Sequence, residues 1–196
     1  MKGYKCLNEN MCATLGDNMK YELGKEYTMY GDIKMGLRGY HFAIDLFWAF
    51  SSYYDIKNIR IFEVEATGEI IQYIHMYCTN KIKLVRELSK KEVIEYIKEN
   101  KKRYYSRWRF KAMMVHYKLE LDKLVDDADW KVRTLIAQQN YRLDKLVNDE
   151  DWYVRMTVAR QGYGLDVLIN DENKKVRQAA ITKQYELNKL ANNQNK

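Results

Sequence analysis

Apolar and polar positions alternate in short runs over residues 1–88 and then change to a helical period. Residues 59–66, Ile-Arg-Ile-Phe-Glu-Val-Glu-Ala, alternate apolar and charged side chains as a half-buried strand does. Residues 3–7 and 27–30 are further strands, and the pattern continues through Ile70–Cys78 and Lys81–Val85. Seven of the nine glycines lie between Gly3 and Gly68, where they punctuate turns between short elements. Asp45–Tyr54 is the predicted helix of this part, with Asp45 near its start. Ser89-Lys-Lys-Glu92 has the spacing of a capping box, which predicts a helix over about 90–99. Glu63 and Glu65 fall on one face of their strand and read as its solvated side rather than as an acid–base pair.

Beyond this point the chain repeats itself. Leu121-Asp-Lys-Leu-Val-Asp-Asp-Ala-Asp-Trp-Lys-Val-Arg133 returns at Leu143–Arg155 and again, after the same interval, at Leu165–Arg177. Trp108-Arg-Phe-Lys111 is a remnant in the same register, and Leu187-Asn-Lys-Leu190 reads as the start of a further unit. In one unit Leu121, Leu124 and Val125 form the apolar face of a short helix, and Asp126–Asp129 the turn. Val132, Leu135 and Ile136 form the stripe of a second helix. Neither helix buries its stripe alone, so units are expected to stack, with Tyr141, Tyr163 and Tyr185 at the joints. Trp130 and Trp152, one period apart, read as packing residues.

The chain has 196 residues, 46% of them hydrophobic, which is enough for a packed core and excludes wholesale disorder. It contains no proline, so nothing of that kind interrupts a helix ladder. The formal charge of +7 is uneven: the balance is −2 over residues 1–80, +8 over 81–120 and +1 over 121–196. Cys6, Cys12 and Cys78 are odd in number and lack C-x-x-C spacing, which argues against a disulfide framework and points to a reducing cytosol. The N-terminus does not read as a signal peptide, and Leu46–Tyr54 is too short to span a membrane. His41, His75 and His116 are scattered, so no metal site is expected. Nucleotide-binding, serine-hydrolase and zinc-protease motifs are absent from the sequence.

The repeated half resembles the short bacterial form of HEAT-like helical repeats over residues 99–190. The most specific feature is an aspartate six residues ahead of an arginine: Asp127 with Arg133, Asp149 with Arg155, Asp171 with Arg177. The resemblance implies that these form a ladder of hydrogen bonds between units, a structural rather than catalytic role. The short period, the missing proline and Lys174 in the place of Trp130 and Trp152 depart from the family pattern. The resulting expectation is an α+β N-terminal domain over 1–88, followed by an all-α HEAT-like repeat solenoid over 89–196.

Residues 3–88 resemble a domain of unknown function that recurs in bacteriophage and prophage proteins. The resemblance is carried by Lys2-Gly-Tyr-Lys5, Tyr21-Glu-Leu-Gly-Lys-Glu-Tyr27, Gly39-Tyr-His-Phe42, Phe62–Glu69 and Thr79–Glu87. It implies an origin in a mobile element and no stated activity. Gly39-Tyr-His-Phe-Ala43, the aromatic helix after it and the Glu-Val-Glu-Ala-x-Gly-Glu strand are also similar to the later half of ADP-ribosyltransferases. That similarity implies Tyr53 or Tyr54 stacking on nicotinamide and a glutamate near Glu69 polarising the ribose. The NAD-gripping His or Arg motif of that family is not recognisable here.

The segment Lys101–Lys111 is dense in cations, with four aromatics among them. Lys101, Lys102, Arg103, Tyr104, Tyr105, Arg107, Trp108, Arg109 and Lys111 are the candidate partner-binding residues. Cations neutralise phosphates and flat side chains stack on bases, so single-stranded RNA suits such a segment. The alternative is that Tyr104, Trp108 and Phe110 pack the first helical unit and the cations are its wet face. The expected function is a non-enzymatic, cofactor-free binding protein in the cytoplasm of a bacterial host. Its expected partner is a host protein or ribonucleoprotein complex, with an anti-CRISPR-like inhibition of a defence nuclease as the specific expectation. An ADP-ribosyltransferase-like enzyme and a simple interaction scaffold are the alternatives.

Overall fold

The computed structural model describes residues 1–13, 19–52 and 59–194. The chain divides into two compact units, Met1–Tyr105 and Ser106–Lys196, later than the boundary at 88 read from the sequence. The difference is one helix, which belongs to the first unit and is tied through Tyr96 and Tyr104 to Asp45.

In the first unit, β1 (Lys2–Leu7), β4 (Arg60–Ala66), β7 (Lys81–Glu87) and β2 (Glu26–Thr28) form an antiparallel sheet in the order β1-β4-β7-β2. A second antiparallel sheet has β3 (Tyr40–Phe42), β6 (Met76–Thr79) and β5 (Ile70–Tyr73) in the order β3-β6-β5. The run Ile70–Cys78, read as one strand, is therefore a hairpin. It turns at Ile74, an exposed residue with φ 53°. Leu7, Phe42, Phe62, Val64, Ile82 and Leu84 fill the core. The sequence GYHF works because Gly39 has φ 126° and a Cβ there would overlap the Sγ of Cys78. Cys6 is a buried core side chain, and burial pushes its thiol up.

Helix α1 (Leu46–Ser51) starts at Asp45, whose carboxylate accepts from the Phe47 amide. The rest of the expected helix, including Tyr53 and Tyr54, lies outside the described residues. Helix α2 (Lys90–Tyr104) begins with the capping box: Glu92 N donates to Ser89 Oγ and Ser89 N donates to Glu92 Oε2. It runs past residue 99 because the apolar stripe does not stop there. Val93, Ile97 and Tyr104 are buried on one face, and Tyr104 stacks on Phe47 with ring centroids 4.4 Å apart.

The Glu92 carboxyl is held down to about 2 by its bonds to the Ser89 hydroxyl and amide and by Arg86. A folded value below the unfolded one stabilises the fold above the ordinary carboxylate range, and that contribution is lost as pH falls through about 2. A carboxyl NMR titration is expected to place the Glu92 midpoint well below the ordinary glutamate range. Ser89→Ala is expected to raise its midpoint.

In the second unit α3 (Trp108–His116) is followed by helix pairs: α4 (Leu121–Leu124) with α5 (Trp130–Gln138), α6 (Leu143–Leu146) with α7 (Trp152–Gln161), α8 (Leu165–Leu168) with α9 (Lys174–Gln194). The first helix of each pair is a single turn. Successive second helices pack side by side, α3 on α5, α5 on α7 and α7 on α9. Asp129 and Asp151 cap α5 and α7. The chain reaches each next pair through two left-handed residues: Lys118 and Glu120, Asn140 and Arg142, Gly162 and Gly164. In the third joint both are glycine, which adopts that conformation without steric cost.

The further unit expected at Leu187–Leu190 does not form. Gln184 and Glu186 stand where the paired left-handed residues would be, and both remain in α9. Leu187 and Leu190 are therefore the exposed far end of one 21-residue helix. Among the described residues no helix is long and apolar enough to cross a membrane, and no cluster of His, Cys, Asp and Glu is placed to hold a metal ion.

Candidate functional site

The arginine ladder is more specific than an Asp–Arg pair within a unit. Arg133 sends Nη1 to the Asp127 carbonyl of its own turn, at 2.8 Å. Its Nε and Nη2 donate to the carboxylate of Asp149 in the next unit, at 2.7 and 2.8 Å. Arg155 repeats this with the Asp149 carbonyl at 2.8 Å and Asp171 at 2.7 and 3.0 Å. Burial opposes ionisation of Asp171, but the bonds from Arg155 and from the Asn173 amide outweigh it and hold the carboxyl below its ordinary range.

Lys111 stands one period before Arg133 and fills the same rung. Its Nζ lies 2.6 Å from Asp127, with the two side chains 15% and 7% exposed. Its membership of a partner surface is thereby corrected: within the second unit its charge ties α3 to the turn that precedes α5. Tyr104 is corrected too. It is buried, its ring lies on Phe47 and its hydroxyl donates to Asp45 Oδ2 at 3.0 Å.

The remaining candidates divide between the two units. Lys101, Lys102 and Arg103 occupy the last turn of α2, where their charge complements the helix dipole. Lys101 lies over the Tyr105 ring at 5.2 Å, and Arg103 over Tyr104 at 5.0 Å. Arg107 is the exposed N-cap residue of α3. Trp108 and Arg109 open α3, with Arg109 4.8 Å over the Trp108 ring.

Trp108 is the first member of a row that the sequence reading did not identify. Lys131 of α5 lies 5.1 Å over Trp108 and 5.7 Å over Trp130. Tyr153 of α7 sits against Trp130 at 5.3 Å, and Lys175 of α9 lies 4.8 Å over Trp152. The second residue of each long helix thus covers the first residue of the helix before it, across three successive helices. Trp130 is 37% exposed and Lys175 is exposed. Among the described residues no carboxylate forms an ion pair with the side chains of Arg109, Lys131, Lys174 or Lys175. The signal was available: Trp-Arg, Trp-Lys, Trp-Tyr and Lys-Lys recur at the interval of the repeat.

Farther along the long helices, α7 and α9 enclose a groove of about 570 Å³ lined by Met156, Arg160, Lys175, Lys183 and Glu186. Lys175 belongs to both row and groove. Together they form a surface of flat rings and ammonium or guanidinium groups, with Glu186 as the acid in the groove.

Glu69 is exposed, with its amide donating to Asn80 Oδ1 at 2.9 Å. Glu63 pairs with Arg86 at 2.6 Å. His41 Nε2 accepts from the Gly36 amide, and His75 stacks on Trp48.

Residues 1–96 match the model of a family described as a domain of unknown function (DUF7666). No curated protein and no solved structure matches the chain.

Proposed function

We propose that this chain is a non-enzymatic binding protein whose helical pairs form a short HEAT-like stack, and that the row from Trp108 to Lys175 takes a single-stranded polyanion, RNA in the first place. The observation that supports this is the row itself: Lys131 and Lys175, without carboxylate ion-pair partners among the described residues, lie over tryptophan rings, with Tyr153 at the repeat position between them. A lysine resting on a ring has already given up much of its rotamer freedom, so less is lost when a phosphate arrives. Because the cations cover part of the ring faces, the backbone of the strand is the main contact and base identity is secondary. The wider reading, in which the bound RNA belongs to a host defence nuclease complex, rests on the resemblance of residues 3–88 to phage domains.

The test is binding of a fluorescent 12-nucleotide oligouridine across a salt series. With Arg109, Lys131 and Lys175 each neutralising one phosphate, log K should fall against log salt with a slope of about −2, at about −0.7 per contact in a single strand. Changing all three to glutamate should remove the binding while leaving the circular dichroism unchanged. RNA that stays unbound at low salt, or binds the triple variant equally well, would falsify the proposal and favour the scaffold reading.

A further inference from the structure

The joints between helical pairs share one plan, and the last one is half built. At the joint between the first two pairs, Val125, Asp126 and Arg133 face Lys145, Leu146, Asp149 and Glu150 of the next pair. Arg133 takes the Asp149 carboxylate, Lys145 reaches back to Asp126, and Val125 and Leu146 are buried. Ile169, Asn170 and Arg177 occupy the corresponding near side after the last pair.

Nothing among the described residues completes it. Arg177 keeps the inner half of the rung, donating Nη1 to the Asp171 and Glu172 carbonyls at 2.7 and 2.9 Å. Its other nitrogens have no carboxylate, because the residue one period beyond Asp171 is Asn193, inside α9. The apolar positions show the same vacancy. Ala137 and Ala159 are fully buried, whereas Ile181 in their register is 46% exposed. Val125 is buried, whereas Ile169 is 39% exposed. Arg177, Ile181 and Tyr185 follow one another at four-residue spacing, so they share a face of α9.

We infer that this end of the stack is a docking site for a segment of another protein with apolar residues three apart followed by Asp-Glu, the pattern Leu-x-x-Leu-x-x-Asp-Glu. The interior joints define the chemistry. The apolar pair covers Ile169 and Ile181, the aspartate takes the open nitrogens of Arg177, and the glutamate lies outside it as Glu150 and Glu172 do on theirs. A second copy of this chain does not fit. Placed end to end, two copies set Arg177 against Arg177. Placed head to tail, the copy offers Tyr105 and Ser106 at the acidic positions. The site is separate from the tryptophan row and stands whether or not RNA binds there.

The test titrates the full chain with a labelled peptide copying residues 142–158, which carries the pattern in its natural setting. Saturable binding should appear with amide NMR shifts at Ile169, Arg177 and Ile181. A peptide with Asp149→Asn and Glu150→Gln should bind at least ten-fold more weakly, a comparison that leaves the protein itself untouched. Ile181→Asp in the protein should also abolish binding without loss of helicity. The inference is overturned by the absence of saturable binding, by equal binding of the two peptides, or by shifts confined to other residues. A dimer of the free chain that Arg177→Glu dissociates would overturn it as well, by showing that the face is self-complementary.

Discussion

Asp149→Ala is expected to destabilise the second unit by about 3–5 kcal/mol, the usual cost of leaving one member of a buried ion pair without its partner. The Arg133 and Asp149 side chains are 9% and 6% exposed, so water does not replace the lost carboxylate. Glu150 reaches the same guanidinium at 3.2 Å but is 86% exposed, so it compensates weakly. The substitution also removes the acceptor for the Asp151 amide, loosening the turn that leads into α7. A control isolates burial as the cause. Asp126→Ala breaks the exposed contact with Lys145 and should cost no more than about 1 kcal/mol. Urea unfolding followed by far-ultraviolet circular dichroism compares the two. Equal losses would show that the ladder does not hold the units together. A double variant, Arg133→Met with Asp149→Leu, should recover much of the loss, because replacing both members of such a pair removes the unpaired charge.

In the first unit the corresponding position is Asp45. Its Oδ1 accepts from the Phe47 amide at 2.9 Å and from the Tyr96 hydroxyl at 2.7 Å, and Oδ2 accepts from the Tyr104 hydroxyl at 3.0 Å. One carboxylate thus caps α1 and ties α2 to it. Burial, with the bond to Asp45 second, pushes the Tyr96 phenol above its ordinary range, so it stays a donor at physiological pH. Asp45→Ala should cost about 3 kcal/mol: about 1 for the helix cap and about 1 for each hydroxyl left without an acceptor. Tyr96→Phe should cost about 1 kcal/mol, since it removes one donor and leaves the cap. Thermal unfolding monitored by tyrosine and tryptophan fluorescence separates the cases. A loss no larger for Asp45→Ala than for Tyr96→Phe would mean that the network acts through one bond only.

The sequence disclosed elements better than it disclosed exposure. The repeat, its turn and the capping box were legible because each depends on neighbours close along the chain. The Ile70–Cys78 hairpin was not, because its apolar run contains no glycine and its turn uses Ile74 in a left-handed conformation. The helix predicted over about 90–99 runs on to Tyr104, which continues the stripe of Val93 and Ile97 from a position seven residues farther along. Charge density also misled at Lys111. In composition it resembles Arg107 and Arg109, but its register places it on a buried aspartate. Trp130 and Trp152, whose recurrence suggests packing, do meet the next helix: Tyr153 lies against Trp130 and Lys175 over Trp152.

The left-handed pairs that join the helices make the stack a ruler. The two joints at Arg133 and Arg155 each carry their own arginine, their own carbonyl acceptor and one borrowed carboxylate. A block such as Leu143–Gly164 could therefore be duplicated or excised in frame while every surviving rung found an equivalent partner. The reach of the outer row would change by one fixed step each time. Under the binding proposed for that row, a chain lengthened by one block is expected to cover a correspondingly longer strand.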